Sequence, residues 1–278
     1  MAATAQSRSI SADERRERIL DLFKLRTFYS IPELSERLGV STMTVRRDLE
    51  AIARKGPITL VHGGASLSGP LIMGTTIGRR LQEHSAEKEA IGRLAASLVH
   101  DGDAVALDAG STVYHIARHL TARHLTVVTH SLPVINELAD RDGVTMIGLG
   151  GVLHAQSLSF AGPQMHAMLK NLRVSTLFLA ATGVTLEDGI SCGNLYDAET
   201  KQSLISIARD VVLVADHSKF GKIAAVTVAP LTAVRTVISD EGLDPSTHHA
   251  LTNKGLTVRL APVRPVQTDG ASDGTARP

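Results

Sequence analysis

Val40-Ser41-Thr42-Met43-Thr44-Val45-Arg46-Arg47-Asp48-Leu49-Glu50-Ala51-Ile52-Ala53-Arg54-Lys55-Gly56 reads as one short helix with a defined start, an apolar seam and a basic face. Ser41 is placed to cap it, its hydroxyl accepting from an N–H of the first turn. Val40 before the cap and Val45 after it have the spacing of a hydrophobic staple. Val45, Leu49 and Ile52 recur at i, i+4, i+7 and share one face. At about 100° per residue, Met43, Arg46, Arg47, Glu50 and Arg54 fall on the other side. Lys55 and Gly56 make a positive last turn and a left-handed exit. Such a helix, with Thr and Arg near its start, suits the major groove of duplex DNA. Arg forks onto guanine, and Thr bonds base edges or touches a thymine methyl. For this helix alone, the plainer alternative is a solvated charged face.

The preceding residues favour the first reading. Ser30-Ile31-Pro32-Glu33 has the form of a capping box with Pro in the first turn. The helix it opens turns Ile31, Leu34 and Leu38 inward and stops at Gly39. Two short helices joined through Gly39-Val40-Ser41 match a helix-turn-helix. A third helix is predicted upstream, capped by Ser11 with Glu14, its seam formed by Ile19, Leu22 and Phe23. Pro57 to Gly64 is a β-prone run ending in a Gly pair, as a wing would be. At this point the chain resembles a family. Ile31-Pro32-Glu33-Leu34, Val40-Ser41, Thr44 to Leu49 and Val61-His62-Gly63-Gly64-Ala65 look like the N-terminal domain of the DeoR-type bacterial transcriptional regulators. The resemblance implies contacts to double-stranded operator DNA from Ser41, Thr42, Thr44, Arg46, Arg47, Arg54 and His62. Leu60 stands where the family's wing usually carries Arg.

Composition sets bounds. A chain of 278 residues with 43% hydrophobic content builds one or two packed domains. Its longest apolar runs, such as Val211 to Ala215, fall far short of the ~18 residues needed to span a bilayer. No basic-then-apolar signal opens the chain, so a cytoplasmic protein is expected. The single cysteine, Cys192, excludes an intrachain disulfide and a cysteine-cluster metal site. Residues 1–62 hold 11 Lys and Arg against 8 Asp and Glu, the remainder 18 against 20. A basic head on a slightly acidic body fits nucleic acid binding at one end. With 3% aromatics and no Trp, stacking platforms for single strands are not expected.

Beyond the wing the pattern changes. Residues 10–65 are read as the winged helix-turn-helix, 66–84 as a linker and connecting helix, 85–261 as an α/β domain and 262–278 as a disordered tail. Ser85 is expected to cap a helix running to about Asp101-Gly102. Apolar strands of four or five residues then alternate with helices, which indicates a parallel sheet covered on both faces. Ligands of such sheets sit outside the carboxyl ends of the strands. Four loops there carry small, hydroxyl or charged residues. Asp108-Ala109-Gly110-Ser111-Thr112 offers hydroxyls and N–H groups at a helix start, as a phosphate cradle does. Thr129-His130-Ser131 repeats that start on the next strand. Gly150-Gly151 gives a close-approach loop. Lys219, after Asp216 and Ser218, supplies a cation. Plain strand-to-helix geometry is the bland alternative for each.

This half also resembles the DeoR-type sensor domain, through Glu87-Lys88-Glu89-Ala90-Ile91, Leu107 to Thr112, Gly148-Leu149-Gly150-Gly151, Glu199-Thr200-Lys201 and Asp216 to Gly221. The implied fold is similar to ribose-5-phosphate isomerase and the coenzyme A transferases. The implied partner is a small phosphorylated sugar or related metabolite. By that resemblance Ser111 and Thr112 hold phosphate, Lys219 assists, and Asp108 and Glu199 address sugar hydroxyls. His130 replaces the family's common Asn. The second reading is a sugar-phosphate isomerase or CoA-transferase-like enzyme with an appended helical domain. Against it, Ala181-Thr182-Gly183-Val184 lacks the isomerases' carboxylate pair, and no lysine follows. Neither cofactor nor metal is expected. His115 and His119, at i, i+4, are read as a solvated helix face. A homo-oligomer, dimer or tetramer, is expected, because one short helix reads too few bases and half-sites pair one turn apart.

Overall fold

The computed structural model describes residues 11–25, 28–54, 56, 58–61, 63–67 and 76–263. The expected polar N-terminus, residues 68–75 of the expected linker and nearly all of the expected tail lie outside the described residues, as do Lys55 and His62. The chain divides into two compact units, residues 1–74 and 75–278.

The first unit runs α1 (Ala12–Leu25), β1 (Phe28–Ser30), α2 (Ile31–Leu38), α3 (Thr42–Ala53), β2 (Ile58–Val61) and β3 (Gly64–Leu67). Each helix starts on a serine whose hydroxyl accepts a backbone N–H three residues on: Ser11 from Glu14, Ser30 from Glu33 and Ser41 from Thr44. Gly39 takes the left-handed conformation, φ 64°, that ends α2 and starts the turn. Val45, Leu49 and Ile52 are buried against Ile19, Phe23 and Leu34. The wing contains more strand than the sequence reading anticipated. β1 and β3 join β2 in an antiparallel sheet of order β1-β3-β2. Asp48 is an unanticipated tie. It is buried within α3 and bonded by Arg15 Nε at 2.5 Å and Arg16 Nε at 3.1 Å, which fixes α1 against α3.

The second unit opens with α4 (Thr76–Gln82) and α5 (Ser85–Ala96). Then come β4 (Ala104–Leu107), α6 (Ser111–His119), β5 (Leu125–Thr129), α7 (Leu132–Leu138) and β6 (Val144–Gly148). A hairpin, β7 (Val152–His154) and β8 (Ser159–Ala161), precedes α8 (Pro163–Leu169) and β9 (Val174–Ala180). A second hairpin, β10 (Gly183–Thr185) and β11 (Gly189–Cys192), precedes α9 (Leu195–Ile207) and β12 (Ala208–Val214). The unit closes with β13 (Val226–Ala229), β14 (Thr236–Asp240), α10 (Pro245–Asn253) and β15 (Thr257–Ala261). Seven strands form one parallel sheet, order β15-β14-β12-β9-β4-β5-β6.

The period of two along the strands sets two cores. Leu177 and Leu179 face the α8–α9–α10 side, while Phe178 and Ala180 face the α5–α6–α7 side. Among the described residues no helix is long and apolar enough to cross a membrane.

Two expectations are corrected. Ser85 is the first residue of α5 rather than its cap; His84 precedes it at φ 51° and makes no capping bond. That helix ends at Ala96, five residues early, where Ser97 turns back to the Leu94 carbonyl. Beside the parallel sheet, β13 pairs antiparallel with β11 in a separate sheet of order β10-β11-β13.

Candidate functional site

In the first unit, Ser41, Thr42, Arg46, Arg47 and Arg54 are exposed, and Thr44 is half-buried. Thr44 Oγ1 lies 2.9 Å from Ser41 Oγ, so its hydroxyl is shared with the cap. Among the described residues, Arg46 and Arg47 form no ion pair. The α3 seam faces the core, so the basic face is open to solvent from its first turn. His62 lies outside the described residues, and Leu60 is exposed.

In the second unit, a cavity of about 360 Å³ opens at the carboxyl edge of the sheet. Ala109 after β4, His130 after β5 and Thr182 after β9 line it. α9 contributes Tyr196, Asp197 and Thr200, α4 contributes Thr76, Ile77 and Arg80, and the β7–β8 hairpin closes one side. Behind the wall lies a buried charge cluster. Lys201 Nζ is bonded to Asp108 Oδ2, which also accepts the Ala180 N–H at 2.9 Å. Lys201 reaches Asp197 Oδ1 at 3.4 Å as well. Burial pulls the Lys201 pKa down, but the two carboxylates outweigh that and hold it above the ordinary lysine value. His130 Nε2 stands 3.7 Å from Asp108 Oδ1. Ligand atoms of Asp108, His130 and Asp197 come within 4.8 Å of one another, yet the Lys201 ammonium already bridges the two carboxylates.

Of the sequence candidates, His130 lines this cavity, and the others do not. Asp108 is buried behind it, paired to Lys201. Gly110 is extended, and a Cβ there would meet the Ala180 side chain at 2.6 Å; its smallness serves packing onto β9. That packing lays α6 on the sheet and covers Ser111 and Thr112, so the expected phosphate cradle is not at the cavity wall. Thr129 is buried, its hydroxyl donating to the Leu107 carbonyl at 2.7 Å and accepting the Ser131 N–H at 3.1 Å. Ser131 is buried beside it and bridges Ser159. Gly150 and Gly151 are exposed. Gly151, at φ 144°, approaches the backbone of Ala161 and not a ligand site.

Glu199 is exposed, while Asp197 takes the cavity-facing position. Four residues, about 400°, separate Asp197 from Lys201, whereas Glu199 sits about 200° from either. Lys219 is 3.8 Å from buried Asp216, in a separate cluster with Ser218. Burial raises the Asp216 pKa, but the Ser218 hydroxyl, Lys219 and Lys88 outweigh it and leave the group below the usual value.

Comparison with known proteins places both units. Residues 15–69 match the DeoR-like helix-turn-helix domain, and residues 83–241 match the DeoR C terminal sensor domain. The chain belongs to the DeoR family of transcriptional regulators. It is 33% identical over 250 residues to the HTH-type transcriptional regulator YulB of Bacillus subtilis, covering 90% of this chain and 97% of that one. It is 35% identical over 228 residues to the HTH-type transcriptional repressor GlcR of the same organism, covering 82% and 88%. Among solved structures, ribose 5-phosphate isomerase A of Methanocaldococcus jannaschii aligns with TM-score 0.37 and 16% identity, over 49% of this chain and 55% of that one.

One further feature of this DeoR-family sensor domain departs from the sequence reading. His115 and His119 are not a solvated face. Glu89 of α5 bonds both, at 2.7 Å and 2.6 Å, and His115 is buried. Cys192 is buried; desolvation pushes its thiol up to about 11, so it carries no reactive thiolate at neutral pH.

His130 is buried at the cavity wall. Burial, reinforced by the Lys201 charge, drives its pKa down to about 3, so it is neutral above that. The unfolded chain takes up this proton near the ordinary value of about 6.5, and the folded chain does not. The contribution is therefore intact above that pH and is lost progressively as the pH falls towards 3. At pH 5 the loss is about 2 kcal/mol. Urea titrations at pH 7.5 and 5.0 should show this extra acid loss in the wild type and its absence in His130→Asn. Equal acid losses in the two proteins would contradict it.

Proposed function

We propose that this chain is a transcriptional repressor whose sensor domain binds a phosphorylated sugar or related metabolite, and that the occupant changes the affinity of the N-terminal unit for operator DNA. The observation that carries the ligand reading is Asp108 Oδ1. It is buried without a protein hydrogen-bond partner among the described residues, 3.7 Å from a histidine that lines the cavity. A buried carboxylate oxygen left unpaired is costly, and it puts an under-satisfied polar group directly behind the histidine that a ligand in the cavity would meet. The repressor reading is supported by the relative named as one. Arg46 and Arg47 read bases, with Ser41, Thr42, Thr44 and Arg54 around them. A dimer or tetramer working in the cytoplasm is part of the proposal, since paired half-sites need paired helices.

The enzyme reading is the weaker one. Proton transfer between adjacent carbons needs a positioned base. Glu199 is exposed, and Asp197 is engaged by Lys201. A thermal-shift screen with phosphorylated sugars tests the ligand. A binder at 100 times its Kd should stabilise by about 2.7 kcal/mol. No shift with any of them, or turnover of pentose phosphates or acyl-CoA by the pure protein, would overturn the proposal.

A further inference from the structure

The cavity has an uncommitted cation at its wall. α4 lays Thr76, Ile77 and Arg80 against it, and Thr76 and Arg80, four residues apart, share a face. Among the described residues the Arg80 guanidinium has no ion-pair or hydrogen-bond partner, whereas Arg79 beside it is taken by Glu83 at 3.5 Å. The lysines nearby are committed elsewhere. Lys201 is held by Asp108 and Asp197, and Lys219 stands by Asp216. Lys88 donates to the carbonyls of Arg80 and Glu83.

The helix that carries Arg80 is itself fixed at both ends. Ile77 is buried and its N–H donates to the Gln156 carbonyl at 3.2 Å, while the buried Lys88 ammonium satisfies the carbonyls of the last turn. Arg80 is exposed and lines a cavity whose other polar groups include hydroxyls, amides, His130, His154 and the Asp197 carboxylate, which Lys201 already engages. A planar guanidinium with no partner matches a phosphate monoester, which it grips through two parallel N–H···O bonds.

We propose that Arg80 is the specificity-determining residue of this site and selects the phosphate of the ligand. The inference rests on reading the cavity as the metabolite site. It moves the phosphate contact from Ser111, Thr112 and Lys219 to α4, and it orients the ligand with its phosphate at α4 and its hydroxyls toward His130. α4 is also the first element of the second unit, reached from β3 through residues 68–75.

The test uses the full chain and calorimetric titration with ribose 5-phosphate, glucose 6-phosphate and fructose 6-phosphate, each against its unphosphorylated parent sugar. For the sugar phosphate that binds, R80A should weaken affinity by roughly 10- to 150-fold, the loss of a hydrogen bond to a charged group. R80K, which keeps the charge and loses the fork, should fall between. R79A should match the wild type, and all three variants should keep the unliganded Tm. If the wild type binds a sugar phosphate and R80A binds it equally, or if the parent sugar binds as tightly as its phosphate, the Arg80 assignment is wrong and the cavity reading stands. If the wild type binds none of the probes, both are wrong.

Discussion

Between about 50 and 200 mM salt, affinity for the operator is expected to fall by roughly 10³–10⁵-fold, the drop for a protein that displaces counterions from 6–10 phosphates. The expectation follows from the basic first unit and from the open face of α3, where Arg46 and Arg47 make no ion pair among the described residues. Arg46→Ala or Arg47→Ala should each cost roughly 1–3 kcal/mol where the guanidinium is bidentate to guanine, and should relax preference at that base pair. Fluorescence anisotropy on a selected operator at four salt concentrations checks both. A flat salt response, or wild-type affinity in both mutants, would remove this helix from the interface.

Lys201→Ala should be the most destabilising single change in the second unit. It strands the buried Asp108 carboxylate, whose Oδ1 already lacks a hydrogen-bond partner among the described residues, and releases Asp197. Breaking one side of a buried pair costs roughly 3–5 kcal/mol. For a unit of this size that lowers Tm by roughly 6–20 °C. Lys201→Met combined with Asp108→Asn removes both charges and should recover most of the loss. A single variant within about 1 kcal/mol of the wild type would show that the pair is not the buried tie described. The cluster also couples stability to the site: the same Asp108 that anchors Lys201 offers its other oxygen toward the cavity-lining histidine.

What was legible beforehand follows from periodicity. Val45, Leu49 and Ile52 make a helical stripe, and the Ser30 and Ser41 caps mark helix starts by local chemistry alone. The parallel sheet showed in the apolar strands, because strands covered on both faces leave no polar positions to confuse them. The hairpins at 152–161 and 183–192 were missed because three- and four-residue strands carry too little pattern. The cavity was harder still. Its carboxyl-edge position was correctly anticipated, but its lining depends on how α4, α9 and the β7–β8 hairpin come together in space. Asp197 and Lys201 were available as an i, i+4 pair. Glu199 lies between them on the opposite face, and the motif reading named it although Asp197 is the carboxylate that lines the cavity. Nothing local marks Arg80, whose distinction is tertiary: it is a cation at the wall without a partner among the described residues.

The central claim is that an occupant of the sensor cavity alters the grip of α3 on DNA. The most direct measurement is operator affinity of the full chain at fixed salt, with and without saturating concentrations of the sugar phosphate that stabilises it most. A coupling of 1–3 kcal/mol predicts roughly a 5- to 150-fold change in affinity, and the operator must change ligand affinity by the same factor. Identical operator affinity with the cavity filled and empty would contradict the account.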